Sequence, residues 1–244
     1  MLALDYFGLS DIGKVRSKNE DFWTADPEGG LFVVADGLGG RTAGEVASKE
    51  AVLKWISLFE EARSSFFFRN ADEYVDLLTE ILCRVNEWVY VKGVSDNRLT
   101  GMGTTLSSIS FMNDRVFLSH VGDSRIYRVR GNRMEQLTQD HSLAMKRYNE
   151  GYSGLSDLLP YKHILTNVIG INPYLNPDVY HVSYLKNDVF CLCSDGLSNA
   201  IDEREMTDVL FSDRSLEVKS NHLVELANMR GGKDNITVLL VEVF

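Results

Sequence analysis

Helices and strands do not alternate along this chain. The helical segments come as two adjacent pairs, set between runs of consecutive strand-like segments. In the first pair, Ala47, Ala51, Trp55, Leu58 and Phe59 recur at helical spacing, followed by Val75, Leu78, Leu82, Val85 and Val89. Residues 203–211 and 215–229 form the second pair by the same pattern. YFGLSDIGKVRSKNEDFWTA reads as two extended pieces joined by a polar turn, and LFVVAD as a third strand. After Gly101-Met102-Gly103 come TTLSSISF, RVFLSHV and SRIYRVR, a run of strands with a hairpin turn expected at Arg130-Gly131-Asn132-Arg133. DVFCLC and NITVLLVEV complete the set, while residues 141–163 are mixed and suggest short helices or a mobile flap. A doubly wound sheet needs single helices between parallel strands, so this order argues against one. The expected class is α+β, a four-layer αββα arrangement: a central β-sandwich of two mainly antiparallel sheets, flanked by helix pairs.

At 244 residues the chain can bury a full core, and no linker or internal repeat divides it, so 1–244 reads as a single domain. Its formal net charge of −10, with no Lys/Arg tract, argues against a non-specific nucleic-acid or anionic-membrane binder. Cys83, Cys191 and Cys193 lack the spacing of a zinc site and read as buried free thiols of a reducing compartment. The beginning, MLALDYFGLS, has no basic region leading into a long apolar run, and no segment reaches the length of a membrane span. A cytoplasmic protein that does not engage membranes is expected.

The chemistry lies in the carboxylates. VVADG is an apolar strand that delivers Asp36 next to Gly37, and VFCLCSDG repeats the arrangement with Asp195. Asp-Gly is also a common turn dipeptide, so either instance alone carries little. Asp123, after the strand of HVGDSR, and Asp234, before the last strand in GGKDN, extend the pattern. Acidic residues at strand ends converge when those strands lie side by side. An all-oxygen ligand set without a His or Cys cluster favours hard divalent ions such as Mg²⁺ or Mn²⁺. Two such ions bridged by a carboxylate can activate a water and neutralise a phosphate.

Other readings are weaker. Gly37, Gly39 and Gly40 lack the Gly-Lys-Ser/Thr ending of a phosphate-binding loop, and no Ser, Cys or His nucleophile has its partners in place. Cys191 and Cys193 share one face of a strand, which suits a core. Arg16, beside Asn19, Glu20 and Asp21, offers a planar fork for phosphate. A single arginine is most often a solvated surface residue, so its weight comes from this company.

Together these segments resemble the metal-dependent serine/threonine phosphatases of the protein phosphatase 2C family, in its compact bacterial form. The likeness runs from about residue 5 to the C-terminus, with the motifs in family order. They are GxxRxxNED at 13–21, VVADGLGG at 33–40, GMGTT at 101–105, HVGDSRIYRVR at 120–130, Asp140-His141, LCSDGLS at 192–198 and GGKDNITV at 231–238. The resemblance implies that Asp36 bridges two metals, with Asp195 and Asp234 completing one site and the Gly37 carbonyl serving the other. It implies that Glu20 supports the second metal, that Asp21 steadies its water shell, and that Asp123 with Asp195 holds a weaker third ion. Arg16 matches the phosphate-binding arginine, and residues 142–162 match a flap that influences substrate access. Where some relatives carry a histidine after the first Asp-Gly as general acid, this chain has Leu38. His163, just past the flap, is the candidate by similarity, although it reads equally well as a polar residue on a short helix. His120, His181 and His222 read as structural or solvated.

The implied reaction is direct hydrolysis of phosphoserine or phosphothreonine by a hydroxide bridging Mn²⁺ or Mg²⁺. The implied partner is a phosphoprotein, such as a serine/threonine kinase or its target in bacterial signalling; with no large apolar helical stripe left unexplained, a monomer is expected. A catalytically inactive phosphoprotein-binding regulator of the same fold is the alternative, and a two-metal nuclease would need a positive groove that the net charge does not advertise.

Overall fold

The computed structural model describes residues 3–38, 43–65, 70–152 and 154–244. Gly39 and Gly40 of VVADGLGG, and Ser153 of the expected flap, lie outside the described residues. In chain order the elements are β1 (Leu4–Asp11), β2 (Asp21–Asp26), β3 (Leu31–Leu38), α1 (Ala43–Ser65), α2 (Ala71–Ser95), β4 (Gly103–Thr104), β5 (Leu106–Met112), β6 (Arg115–Val121), β7 (Arg125–Arg130) and β8 (Arg133–Gln136). They continue with α3 (Leu143–Asn149), α4 (Leu155–Leu158), β9 (Asp178–Ser183), β10 (Val189–Cys193), α5 (Asp195–Ser198), α6 (Glu203–Leu210), α7 (Leu216–Met229) and β11 (Ile236–Val243). One sheet has the order β1-β11-β10-β7-β8. The other has the order β2-β3-β5-β6-β9, with the short β4 on β3. Every strand pairing among the described residues is antiparallel.

Period-two alternation builds the four layers. In β3, Leu31, Val33 and Ala35 face α1 and α2, while Phe32 and Val34 face the other sheet. In β11, Ile236, Val238 and Leu240 meet the second helix group, while Leu239, Val241 and Val243 enter the layer between the sheets. A register slip of one residue would exchange these faces, so burial on both sides pins each strand. Trp55 of α1 is fully buried, and its indole N–H donates to Ser108 Oγ at 3.1 Å, which removes the penalty of an unpaired buried donor.

The apolar layer between the sheets stops at one end, and it does so on several strands at one level. On the same face, Val34 is followed by Asp36, Leu192 by Ser194, Leu239 is preceded by Thr237, and Ile109 is preceded by Ser107. Leu118 gives way in the same manner to His120, which is buried between Ser107 Oγ at 2.9 Å and Gln139 O at 3.1 Å. The polar end of the sandwich is where the candidate residues gather.

Several local expectations are corrected. Asp36 does not end its strand, because β3 continues through Gly37 and Leu38 to pair with β4. The strand before Asp195 stops at Cys193, and Asp195 opens the short helix α5. Cys191 and Cys193 are buried as expected, but Cys83 is exposed. β9 pairs with β6 as a sheet edge that the sequence pattern does not announce. The flap region leaves and rejoins the body at one place: Leu143 N donates to Ile164 O at 2.7 Å and Thr166 N to His141 O at 2.8 Å. Among the described residues, no helix is long and apolar enough to cross a membrane.

Candidate metal centre

At the polar end of the sandwich lies a cleft of about 350 Å³. Arg16, Glu20, Asp36, Gly37, Asp123, His163, Asp195 and Asp234 all line it, although they come from segments spread over the whole chain. Asp21 is the one expected site residue behind the wall rather than in it: it is buried, and it pairs across the sheet with Asp36.

The backbone fixes Asp36 before its side chain does any chemistry. Its N–H donates to Thr105 Oγ1 at 2.9 Å, and its carbonyl accepts from Thr105 N and Thr104 Oγ1, each at 2.9 Å. This gives the GMGTT segment a role that the sequence pattern alone left unassigned. Gly37 is required by close approach: a Cβ there would stand 2.1 Å from Gly44 O and 2.7 Å from Glu20 O. The start of α1 and the Glu20 segment therefore press directly on the β3 backbone.

Asn235 holds the other wall. Its Oδ1 accepts from Glu20 N at 2.8 Å, and its Nδ2 donates to Ile12 O at 3.0 Å and Lys18 O at 2.8 Å, so one amide clamps the loop that carries Arg16 and Glu20. Beside it, Asp234 Oδ2 accepts from the Arg16 guanidinium at 2.7 Å. Asp21 Oδ2 accepts from Ser194 Oγ and Thr237 Oγ1, each at 2.7 Å. Sequence reasoning missed Asn235, Ser194 and Thr237. The available signals were the position of Asn235 within GGKDN and a polar Thr237 on an otherwise apolar strand face.

The electrostatics are those of crowded carboxylates. Burial pushes Asp21 up to about 7, against the pull of its two hydroxyl donors and with Asp195 and Asp234 adding to the rise. Asp123 is also raised to about 7, by burial first and then by Asp195 and Asp140. Asp36 rises well above the usual carboxylate range through burial, with Asp21 and Asp195 adding repulsion. Desolvation raises Asp195 as well, with repulsion from Asp234 adding to the rise. Glu20 is raised by burial and pulled back by Arg16.

Among the described residues, no three His, Cys, Asp or Glu side chains are placed so as to hold a metal ion as they stand. The donor set nevertheless fits hard divalent cations. It is all oxygen, its members raise one another's pKa, and two buried carboxylate oxygens, Glu20 Oε1 and Asp21 Oδ1, have no hydrogen-bond partner. Unpaired buried carboxylate oxygens are costly unless a cation compensates them.

Comparison with known proteins agrees with this site. A family model described as protein phosphatase 2C matches residues 14–229. The chain is 37% identical over 244 residues to the "Serine/threonine phosphatase stp" of Listeria welshimeri, covering 96% of this chain and 93% of that protein. The S. agalactiae serine/threonine phosphatase superposes with a TM-score of 0.89 at 34% identity, covering 99% of this chain and 100% of that one. The catalytic domain of the serine threonine protein phosphatase PstP, solved in complex with two manganese ions, gives a TM-score of 0.86 at 30% identity over 100% of this chain and 99% of its own. With a family match spanning most of its length and a cleft of this composition, the chain belongs to the protein phosphatase 2C family and is a metal-dependent serine/threonine phosphatase.

Proposed function

We propose that residues 1–244 act as one catalytic domain that hydrolyses phosphoserine and phosphothreonine on proteins in this cleft, with Asp36 as the central metal-holding carboxylate. The observation that carries the reading is the convergence of Asp36, Asp123, Asp195 and Asp234 with Arg16 and His163 around one cavity. Asp36, Asp195 and Asp234 would hold one Mn²⁺ or Mg²⁺. Asp36, the Gly37 carbonyl and Glu20 would hold a second, and Asp123 with Asp195 a weaker third. Bound there, the ions supply an acidified water and offset the charge of the phosphate.

The rest falls to the chain's own groups. Arg16 is half-exposed and its one ion pair among the described residues is with Asp234. Once Asp234 serves as a ligand, the guanidinium fork is free to take two phosphate oxygens and present the phosphorus in line to the attacking water. Asp21 works from behind the wall, steadying the water shell. His163 is exposed on the cleft rim just past the flap and donates the proton that the leaving serine or threonine oxygen needs. The flap at 142–162 governs access from that side. A phosphorylated kinase or its target, a cytoplasmic setting, a monomeric state and no engagement of membranes fit the −10 charge and the absence of a basic tract.

The test is hydrolysis of a phosphothreonine peptide with EDTA, with Mg²⁺ and with Mn²⁺. Turnover is expected only with metal; turnover that survives EDTA would sink the reading. The His163 role has its own test. His163→Gln is expected to slow the peptide, whose alkoxide is a poor leaving group, by about 100-fold. An aryl phosphate that needs no proton on departure should lose far less. Equal losses on both substrates would remove His163 from the proton-donor role.

A further inference from the structure

A second cavity of about 250 Å³ adjoins the metal cleft and shares His163, Asp195 and Asp234 with it. Its far wall is basic. Arg230 and Lys233 line it, and Lys162 reaches its edge, donating from Nζ to Asn199 Oδ1 at 3.0 Å. Asn199 lines the second space and is tied to the shared wall, its other end donating to Asp195 Oδ2 at 3.0 Å. Arg230 is anchored by Glu205 and by the Ala200 carbonyl. Neither Lys162 nor Lys233 forms an ion pair among the described residues. The shared wall carries Asp195 and Asp234, the carboxylates that would hold metal, so with their charge taken up there the unpaired Lys162 and Lys233 make the far side a local site for an anion.

We propose that this cavity receives a second anionic group of the phosphoprotein substrate, a carboxylate or a phosphate, while the scissile phosphate occupies the metal cleft. The inference rests on the phosphatase reading of that cleft and adds a sequence preference to it. In an extended peptide, side chains two residues apart project to the same side about 7 Å from one another. The two cavities share a wall, so a residue two positions from the phosphorylated one is the natural occupant. Lys162 and Lys233 then make charge-assisted contacts to the anion, while the Arg230 charge is already shared with Glu205.

The test uses the metal-loaded protein and phosphothreonine peptides that carry alanine, glutamate or a second phosphothreonine two residues to either side. Two partly exposed cations should favour an anionic neighbour over alanine by about 10-fold in kcat/KM, chiefly through KM. Lys162→Ala combined with Lys233→Ala should bring that ratio close to one, and Lys233→Glu should invert it. A preference for glutamate and phosphothreonine alike identifies charge as the feature read, and a preference for phosphothreonine alone identifies a second phosphate. Equal cleavage of all peptides by the wild type, or a ratio that survives the double substitution, overturns the subsite alone. Absence of cleavage of every peptide overturns the subsite together with the phosphatase reading beneath it.

Discussion

Asp195→Asn is expected to lose about 1,000-fold or more in turnover of a phosphothreonine peptide while the metal-free protein becomes more stable. Outer partners of metal ligands already cost 10–100-fold when removed, and a residue proposed as a direct ligand should exceed that. The stability gain follows from the crowding. Desolvation and the neighbouring Asp234 both push Asp195 up, so removing its charge relieves repulsion in the metal-free fold. The amide keeps an oxygen able to accept from Asn199, so the start of α5 retains its local bond. Thermal melting in EDTA beside the activity assay separates the two effects. Lower activity with a lower melting temperature would point to misfolding rather than loss of a ligand.

The metal-free protein is expected to melt about 5 °C higher at pH 6 than at pH 8. Asp21 and Asp123 have folded pKa values of about 7, above the 3.8 of a free aspartate. The fold therefore binds more protons than the unfolded chain between those values, and the stability contributed by these groups is lost as pH rises toward 8. His120 works in the opposite direction. Burial lowers it from 6.5 to about 4, so its contribution is complete above 6.5 and is lost as pH falls toward 4. Near pH 6 that loss is smaller than the gain from two aspartates, which sets the net sign. Divalent metal binds the deprotonated carboxylates, so adding Mn²⁺ should raise the melting temperature more at pH 8 than at pH 6. Calorimetry with EDTA and with Mn²⁺ at the two pH values decides the point. A metal-free melting temperature that climbed from pH 6 to pH 8 would mean that these carboxylates are ionised in the fold.

Much of this architecture was readable from periodicity, and the exceptions share a cause. Phe32 and Val34 alternate with Val33 and Ala35, and that alternation carries β3 and the layering with it. β9, DVYHVS, is an edge strand with intermediate burial on most positions, so no apolar face marks it. Cys83 sits one position past Leu82 on α2 and is turned off the buried stripe, a fact of helical phase that composition hides. Among the site residues, the carboxylates stood out because an acid at the end of an apolar run is unusual. Ser194, Thr237 and Thr105 did not, because small hydroxyl residues are ordinary in strands and gain meaning only from what they touch. The basic cavity was invisible for a different reason: Lys162 and Lys233 are far apart in sequence, and only the fold brings them to neighbouring walls.

Asn235 joins residues at opposite ends of the sequence, and this bears on when the centre can exist during synthesis. Its bonds reach back 223 residues to Ile12, and β11 lies between β1 and β10 in its sheet. A growing chain emerges with β1 lacking the neighbour that completes it, and the Arg16 loop stays unclamped until Asn235 has been made. Such long-range closure is slow and costs chain entropy before it is rewarded. A segment made more than 200 residues after the Arg16 loop is thus the one that turns a partly folded chain into a phosphatase, so chains that stop short of Asn235 remain chemically silent.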